Sequence, residues 1–170
     1  FNQFNAKIFR AEKIDTHGGS LRIYIKKDKK TKIENNVKTL VKEEEKFGIK
    51  NFKTYLEFGK KVYKIKEKVI KNITELKNKN GKIIGYGSPA KATTALNFFG
   101  ISKEIDFVIE DNKLKVGKFI PGVNIEIKEK TSKDKNKCIL VLAWNFFEEI
   151  KKNNSSLTKN FVNIKELEKD

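Results

Sequence analysis

Two glycines and one acid have the types and spacing of a nucleotide-binding turn. Gly85 and Gly87 follow a short apolar run, and Ala90 takes the third small position of the pattern G-x-G-x-x-[GA]. Glycine permits close approaches that a Cβ would block, so amides at the start of the next helix can point at a phosphate. Asp111 ends a second apolar run roughly twenty residues later, as in dinucleotide sites. This spacing predicts a Rossmann-like β-α-β unit that binds a nucleotide or nucleotide sugar; a tight turn that binds nothing is the alternative.

A loop with basic residues follows the second predicted strand. The loop runs from Lys113 to Gly122 and contains KVGKFIPG. In open α/β sheets, ligands bind beyond the carboxyl ends of the strands. Lys115 and Lys118 could therefore meet phosphate, although ordinary surface lysines need no ligand to explain them.

A later apolar run predicts a further strand of the same sheet. Cys138 to Ala143 is continuously apolar, which is typical of a buried parallel strand. Trp144 and Asn145 stand at its carboxyl end, where ligand contacts collect, and Trp144 suits a core position equally well. We interpret Cys138 as a packing residue, because no His or Asp partner is apparent.

The remaining segments frame this unit. Two runs with partial apolar alternation, joined by a Gly-rich turn, predict a β-hairpin, which must lean on other structure because two strands bury little surface. Apolar residues at helical spacing predict two helices, and the stripe on the second should lie against a sheet or another helix. The predicted elements are strands Asn5–Ile14 and Leu21–Lys26, an exposed loop Lys26–Lys32, helices Ile33–Phe47 and Asn51–Lys77, strand Val123–Ile127, helix Phe146–Lys152 and edge strand Asn160–Ile164.

The single histidine, His17, lies in the Gly-rich turn of the hairpin. A general base or a substrate contact could be placed there, and an imidazole bonded to nearby backbone is the alternative. No second His and only one Cys accompany it, so we expect no metal site. No Ser-His-acid set stands out, and the sequence therefore predicts a binding site with little machinery for breaking bonds.

The chain is strongly basic, with 38 basic and 22 acidic residues and a formal net charge of +16. Such a surface attracts nucleic acid through its phosphates, so a basic nucleic-acid-binding module is one alternative. All but two of the basic residues are lysines, interleaved with Glu, whereas arginine is the residue favoured for bidentate base recognition. We therefore do not expect a nucleic-acid partner. A second alternative is an NAD(P)-dependent oxidoreductase fragment, because G-x-G-x-x-A followed by an acid also suits a dinucleotide.

The sequence predicts neither a membrane-spanning helix nor an internal disulfide. No apolar run approaches the roughly 18 residues of a spanning helix. A single cysteine cannot form an internal disulfide, so we expect a reducing, cytoplasmic location. The chain begins at Phe1 and contains no Met, which suggests an excised piece or a processed product.

Four stretches in order resemble one family: HGGSLRIYI at 17–25, GYGSPAKATTALNFFGI at 85–101, IDFVIEDNKLKVGKFIPGVNIEI at 105–127 and ILVLAWNF at 139–146. They are similar to the C-terminal domain of SAM-dependent sugar C-methyltransferases, which act on nucleotide-linked keto-sugars in deoxysugar biosynthesis. The resemblance implies an N-terminal zinc-binding domain, a middle SAM-binding domain and a Rossmann-like C-terminal domain that helps to hold the nucleotide sugar. This chain would be the last part and inactive alone, since the family's acid/base residues and zinc cysteines lie upstream of these motifs.

The resemblance and the spacing together give a set of expectations. Residues 1–32 are expected to be the hairpin tail of an upstream SAM-binding domain plus a linker, and residues 33–170 an α/β domain with a Rossmann-like parallel sheet flanked by helices. S-adenosylmethionine (SAM) would be bound mainly by the upstream domain, and His17 is a possible catalytic residue. The expected substrate-binding residues are Gly85, Tyr86, Gly87, Ser88, Pro89, Ala90, Lys91, Asn97, Asp111, Asn112, Lys115, Lys118, Trp144 and Asn145.

Overall fold

The computed structural model describes residues 1–28 and 30–169, and the chain forms two compact units. Unit 1 comprises residues 1–60 and unit 2 comprises residues 61–170. Lys29, which belongs to the predicted loop Lys26–Lys32, lies outside the described residues, as does Asp170. Within the described ranges, every helix is too short or too polar to cross a lipid bilayer.

Unit 1 begins with the predicted β-hairpin. Strand β1 (Lys7–Ile14) pairs antiparallel with β2 (Ser20–Lys26). The connecting turn takes left-handed backbone conformations at His17, Gly18 and Gly19, with φ angles of 57°, 87° and 117°. Two glycines accept such angles without the Cβ collision that other residues meet, so the sequence HGGS forms this turn readily. The prediction of a hairpin is confirmed.

Two helices follow the hairpin. Helix α1 (Asn35–Phe47) ends at Gly48, whose φ of 86° lets its amide donate to carbonyls of the last turn. Helix α2 (Phe52–Asn80) carries the predicted apolar stripe, but its buried residues, Val69 and Ile73, both lie in its second half. Val69 is fully buried in unit 2, whereas Tyr55 is 56% exposed in unit 1. The packing prediction is therefore right for the C-terminal half of α2 and wrong for the N-terminal half.

Unit 2 is built on a parallel sheet, as predicted. In the described part of the chain the sheet has five strands in the order β5-β4-β3-β6-β7, and every neighbouring pair is parallel. β7 lies at an edge, where the sequence placed its last strand. The strands are β3 (Ile83–Tyr86), β4 (Ile105–Ile109), β5 (Ile127–Lys128), β6 (Cys138–Val141) and β7 (Phe161–Asn163), with helices α3 (Ala90–Phe99) and α4 (Phe147–Asn153) between them.

Helices cover both faces of this sheet. Side chains of successive strand residues point to opposite faces, so Ile83 packs in one apolar cluster and Ile84 in the other. The first cluster includes residues of α2 and α3, and the second is packed against Phe147 and Ile150 of α4. Burial on both faces explains why the strands are almost wholly apolar and why a Rossmann-like α/β fold results.

One predicted strand is largely replaced by a turn. The alternation at Val123 to Ile127 predicted a strand there, but β5 begins only at Ile127. Asn124 has a φ of 56°, and its amide and that of Val123 both donate to the Ile120 carbonyl. Ile120 and Ile125 are nevertheless buried, so the apolar alternation came from a turn with two core anchors.

Candidate functional site

The carboxyl ends of three neighbouring strands bring the predicted site residues to one edge of the sheet. Tyr86, the last residue of β3, is in register with Ile109 of β4 on one side and with Val141 of β6 on the other. The residues that follow these strands must therefore lie at the same edge, where α/β proteins bind ligands. The glycine turn, Asp111 and Trp144 are the sequence-predicted residues that this topology gathers.

Packing requires both glycines of the turn. A Cβ on Gly85 would lie 2.7 Å from a methyl carbon of Val108 and 3.1 Å from one of Leu142. A Cβ on Gly87 would lie 2.7 Å from the Cβ of Ala143, and Gly87 also has a φ of 83°. These contacts explain the G-x-G spacing without a bound phosphate.

Two amides that the sequence assigned to a phosphate have partners within the chain. The Gly87 amide donates to the Ile109 carbonyl at 2.8 Å, and the Ser88 amide donates to Oε2 of Glu110 at 2.9 Å. Pro89 precedes α3 and has no amide hydrogen to donate. Among the described residues, the amides of Ala90 and Lys91 at the start of α3 have no partner, and they are the donors that this turn still offers.

The side chain of Glu110 forms hydrogen bonds with the residues of the glycine turn. Its Oε2 accepts from the Ser88 hydroxyl at 2.5 Å and from Lys115 Nζ at 3.3 Å, and its Oε1 accepts from the Asn112 amide at 3.2 Å. The side chain is 13% exposed. Burial raises the pKa of Glu110, but the hydrogen bonds from Ser88 and Asn112 and the charge of Lys115 outweigh it, so the pKa lies below its usual value.

Glu110 is a site residue that the glycine pattern does not single out, although its position in the sequence carries a signal. Glu110 is the first residue after β4, which is where a dinucleotide site carries its ribose-binding acid, whereas the sequence pattern favours Asp111, one residue later. In this structure the Glu110 carboxylate is engaged by Ser88 and Lys115. The acid that would hold the ribose of a dinucleotide is therefore already bound within the chain.

Asp111 belongs to a separate hydrogen-bonded group. The Tyr86 hydroxyl lies 2.9 Å and 2.8 Å from the two carboxylate oxygens of Asp111, to which it donates. The same hydroxyl is 3.3 Å from Oδ1 of Asn154, which accepts from Lys130 Nζ at 2.7 Å. Burial, followed by the Asp111 hydrogen bond and charge, raises the pKa of Tyr86 well above its usual value. The phenol therefore stays protonated and keeps donating.

A cleft of about 260 Å³ opens beside this group. Its walls come from the ends of β3 and β4 and from α4 and the residues next to it. Asp111 is the most exposed charged group of the Tyr86 network, with a side chain 67% exposed. The residues that line the cleft are Tyr86, Gly87, Glu110, Asp111, Ala143, Phe146, Glu149, Ile150, Asn153 and Asn154.

Lys91 and Trp144 form a second pair at this edge. The Lys91 ammonium lies 4.2 Å from the centroid of the Trp144 ring, within cation–π range. Burial and the nearby charge of Lys165 lower the pKa of Lys91. Trp144 is partly buried against the core, which agrees with the core interpretation of this residue. Its contact with a ligand stays a prediction.

Several other predicted site residues have structural partners. Asn97 donates from Nδ2 to the carbonyls of Thr93 and Pro121, and Asn112 accepts the Leu114 amide at Oδ1. Lys118 and Asn145 are exposed. These contacts give Asn97 and Asn112 a role in holding the loop after β4, and none of them requires a ligand.

His17 lies in unit 1 and the cleft lies in unit 2. The histidine is exposed and sits in the short 3-10 turn Thr16–Gly18 between the hairpin strands. Its role therefore rests on the sequence, and it stays a prediction.

The chain matches the model of a known protein family. A family model described as "C-methyltransferase C-terminal domain" matches residues 15–164 of the 170-residue chain. The match starts in the hairpin turn and covers the glycine turn, the loop after β4 and the edge of β6, which are the segments that carried the resemblance. No curated protein matches the chain significantly.

Proposed function

Because the chain belongs to the family of C-methyltransferase C-terminal domains, we propose that unit 2 binds the substrate of a SAM-dependent C-methyltransferase, a keto-deoxysugar linked to a nucleotide. The observation that carries this proposal is the cleft of about 260 Å³ at the carboxyl ends of β3 and β4, which polar and charged side chains line in part. Side chains of this kind can form hydrogen bonds with the hydroxyl groups of a sugar.

The phosphate half of such a substrate needs donors and positive charge. The first amides of α3, those of Ala90 and Lys91, are unpaired among the described residues, and the start of a helix carries a partial positive charge. Lys91 also supplies a positive charge, and its ammonium lies 4.2 Å from the centroid of the Trp144 ring. We therefore assign the phosphates to the start of α3 in preference to the turn that Glu110 fills.

The methyl donor belongs elsewhere in this proposal. SAM supplies a methyl group on a positively charged sulfur when bound, together with a ribose that needs a hydroxyl acceptor. The described residues of the glycine turn do not fit it, because Glu110 is engaged by Ser88 and Lys115. We assign SAM to a domain upstream of this one in the parent polypeptide and keep for unit 2 the task of orienting the sugar. His17 is proposed for proton transfer, because histidine is the side chain that most often transfers protons in catalysis.

The hairpin of unit 1 fits a contact with such an upstream domain. On β2, Leu21, Ile23 and Ile25 are 50%, 40% and 41% exposed. Among the described residues of unit 1, Ala6 and Ala11 are the only buried hydrophobic residues. A two-stranded ribbon with an uncovered apolar face gains stability when further structure packs on it, so we propose that the SAM-binding domain covers this face.

We also propose a cytoplasmic location. The one cysteine, Cys138, is buried in β6, and burial raises the pKa of its thiol. A chain that relies on no disulfide suits a reducing compartment.

Ligand titration tests the proposed function. Trp144 is the only tryptophan and stands at the site, so its fluorescence can report binding. We expect dTDP-, GDP- or CDP-sugars to change the emission in a saturable way, and Lys91→Ala to weaken that binding. Lys133→Ala, which removes an exposed lysine of unit 2 outside the expected site, is the matched control. Calorimetry on the same samples provides a readout that does not depend on Trp144.

Two outcomes would contradict the proposal. Tight binding of NADH with no response to nucleotide sugars would favour the oxidoreductase alternative. Incubation of the 170-residue chain with SAM and a keto-sugar nucleotide should give no methylated product, and turnover would show that the chain needs no upstream domain.

A further inference from the structure

A buried tyrosine hydroxyl is committed to one carboxylate at the edge of the cleft. Tyr86 is 2% exposed, so its hydroxyl needs a partner inside the protein. Both oxygens of Asp111 are within 2.9 Å of that hydroxyl. The phenol has a single proton to donate, and it stays at the carboxylate because the other nearby group, Oδ1 of Asn154, is farther away at 3.3 Å.

A second pair of residues fixes the orientation of this group. Asn154 is 4% exposed, and its Nδ2 donates to the Ile150 carbonyl at 2.8 Å, which defines which end of the amide is the acceptor. Its Oδ1 receives Lys130 Nζ at 2.7 Å, and the same ammonium lies 3.9 Å from Oδ1 of Asp111. Asp111 is thus held by one phenol and one cation.

The held carboxylate keeps free capacity to accept hydrogen bonds. An ionised carboxylate has about four lone-pair positions, and the phenol proton and one ammonium cannot occupy all of them. The Asp111 side chain is 67% exposed and borders the cleft, so its remaining positions are open to a ligand. A volume of about 260 Å³ lies below the roughly 300–1,000 Å³ that is usual for drug-sized ligands, so the cleft suits a single sugar ring.

We propose that Asp111 accepts hydrogen bonds from hydroxyl groups of the sugar ring, and that Tyr86, Asn154 and Lys130 are the residues that position it. This proposal rests on the proposed function and divides the ligand in two: the sugar lies in the cleft, and the nucleotide phosphates lie outside it. Tyr86 therefore affects recognition of the sugar and leaves recognition of the nucleotide unchanged.

Paired ligands with and without the sugar test this division. We would measure by calorimetry the dissociation constants of dTDP-, GDP- and CDP-glucose and of dTDP, GDP and CDP. Asp111→Asn and Tyr86→Phe should each weaken the binding of the preferred nucleotide sugar by about tenfold and leave its sugar-free match within about twofold. Adding Tyr86→Phe to Asp111→Asn should have little further effect, because the two residues act through one contact.

Tyr24→Phe is the matched control. The Tyr24 hydroxyl donates to Oε2 of Glu12 at 2.9 Å, so this change removes the same kind of hydrogen bond in unit 1. Tyr24→Phe should leave the affinities for the nucleotide sugar and for the nucleoside diphosphate unchanged. If Tyr86→Phe fails to fold, Asp111→Asn decides, because that side chain is mostly exposed.

The outcomes separate this proposal from the proposed function. Equal weakening of nucleotide sugar and nucleoside diphosphate, or no weakening of either, would overturn the sugar-binding role of Asp111 while leaving nucleotide binding in place. Absence of binding by the unmodified chain to every nucleotide and nucleotide sugar would overturn the proposed function and, with it, this inference.

Discussion

At the scale of single residues, one glycine pattern has a different cause from the one its spacing suggests. Gly85 and Gly87 match a phosphate-binding motif, yet each is required by a neighbouring side chain within 2.7 Å of its missing Cβ. The anion at the turn is a carboxylate of the chain itself, that of Glu110. A residue type can thus satisfy a functional motif and a packing demand at the same time.

The first prediction concerns Gly87. Gly87→Ala combines a left-handed backbone with a collision at Ala143, and it should lower the free energy of unfolding by about 2–4 kcal/mol. Gly81 has a similar φ of 73° and open space around it, so Gly81→Ala should cost only about 1–2 kcal/mol. Urea unfolding of both variants measures the difference. Equal losses of unfolding free energy in the two variants would show that Ala143 can move away from the new Cβ without destabilising the fold.

The second prediction concerns the pH dependence of Glu110. Its pKa in the folded chain lies below the usual value of 4.5, so its contribution to stability is complete above about pH 4.5 and is lost as the pH falls through the lower, folded pKa. Glu110→Gln should lower stability at pH 7 by about 1–3 kcal/mol. The gap between wild type and variant should narrow in acid. A constant gap from pH 7 to pH 3 in thermal unfolding would contradict this assignment.

At the scale of elements, side-chain contacts between α3 and the loop after β4 decide the shape of the sheet edge. Asn97 of α3 donates to the Pro121 carbonyl at 2.9 Å, and Gly122 packs directly on the Asn97 amide. A Cβ on Gly122 would lie 2.2 Å from Oδ1 of Asn97. The hydrogen bond from Asn97 and the close packing of Gly122 therefore hold the loop against α3.

The third prediction concerns this contact between α3 and the loop. Asn97→Ala should lower stability by about 1 kcal/mol and leave nucleotide-sugar affinity unchanged, because the side chain is exposed and its hydrogen bonds go to backbone. Gly122→Ala should destabilise the wild type more than the Asn97→Ala variant, because Asn97→Ala removes the side-chain amide with which the new Cβ would collide. A double-mutant cycle by urea unfolding measures both. A large loss of affinity with unchanged stability would assign Asn97 to the ligand instead.

At the scale of the whole molecule, the two units differ in how much apolar surface they bury. Unit 2 contains both apolar clusters on the faces of its sheet, whereas unit 1 leaves the apolar side chains of β2 exposed. Exposed lysines pair with nearby acids, as in Lys13 with Glu43 and Lys60 with Glu57, so part of the basic charge is balanced locally. The incomplete burial in unit 1 is the physical basis for proposing a neighbouring domain.

The fourth prediction tests that proposal. Ile23→Ser in the 170-residue chain should change stability by less than about 1 kcal/mol, because the side chain is already 40% exposed. In a longer polypeptide that includes the proposed SAM-binding domain, the same change should cost more, about 2 kcal/mol, because the side chain would be buried there. Leu114→Ser, at a position 79% exposed in unit 2, is the control and should have a small effect in both proteins. Equal, small effects of Ile23→Ser would leave the hairpin face without a covering domain.

The sequence by itself determined most of the elements and their order. Continuous apolar runs such as Cys138–Val141 and helical spacing such as that of α3 depend on local periodicity, which a single sequence displays. The family could be recognised for the same reason, since its motifs are short and contiguous.

Only the tertiary structure decided which polar groups meet. Ser88 and Glu110 are 22 residues apart along the chain, and Tyr86 is 25 residues from Asp111 and 68 from Asn154. No local pattern records such pairings. Of two adjacent acids after β4, the fold turns Glu110 inward to the Ser88 amide and leaves Asp111 open beside the cleft. That choice depends on the register of the parallel strands, which is set by packing on both faces of the sheet.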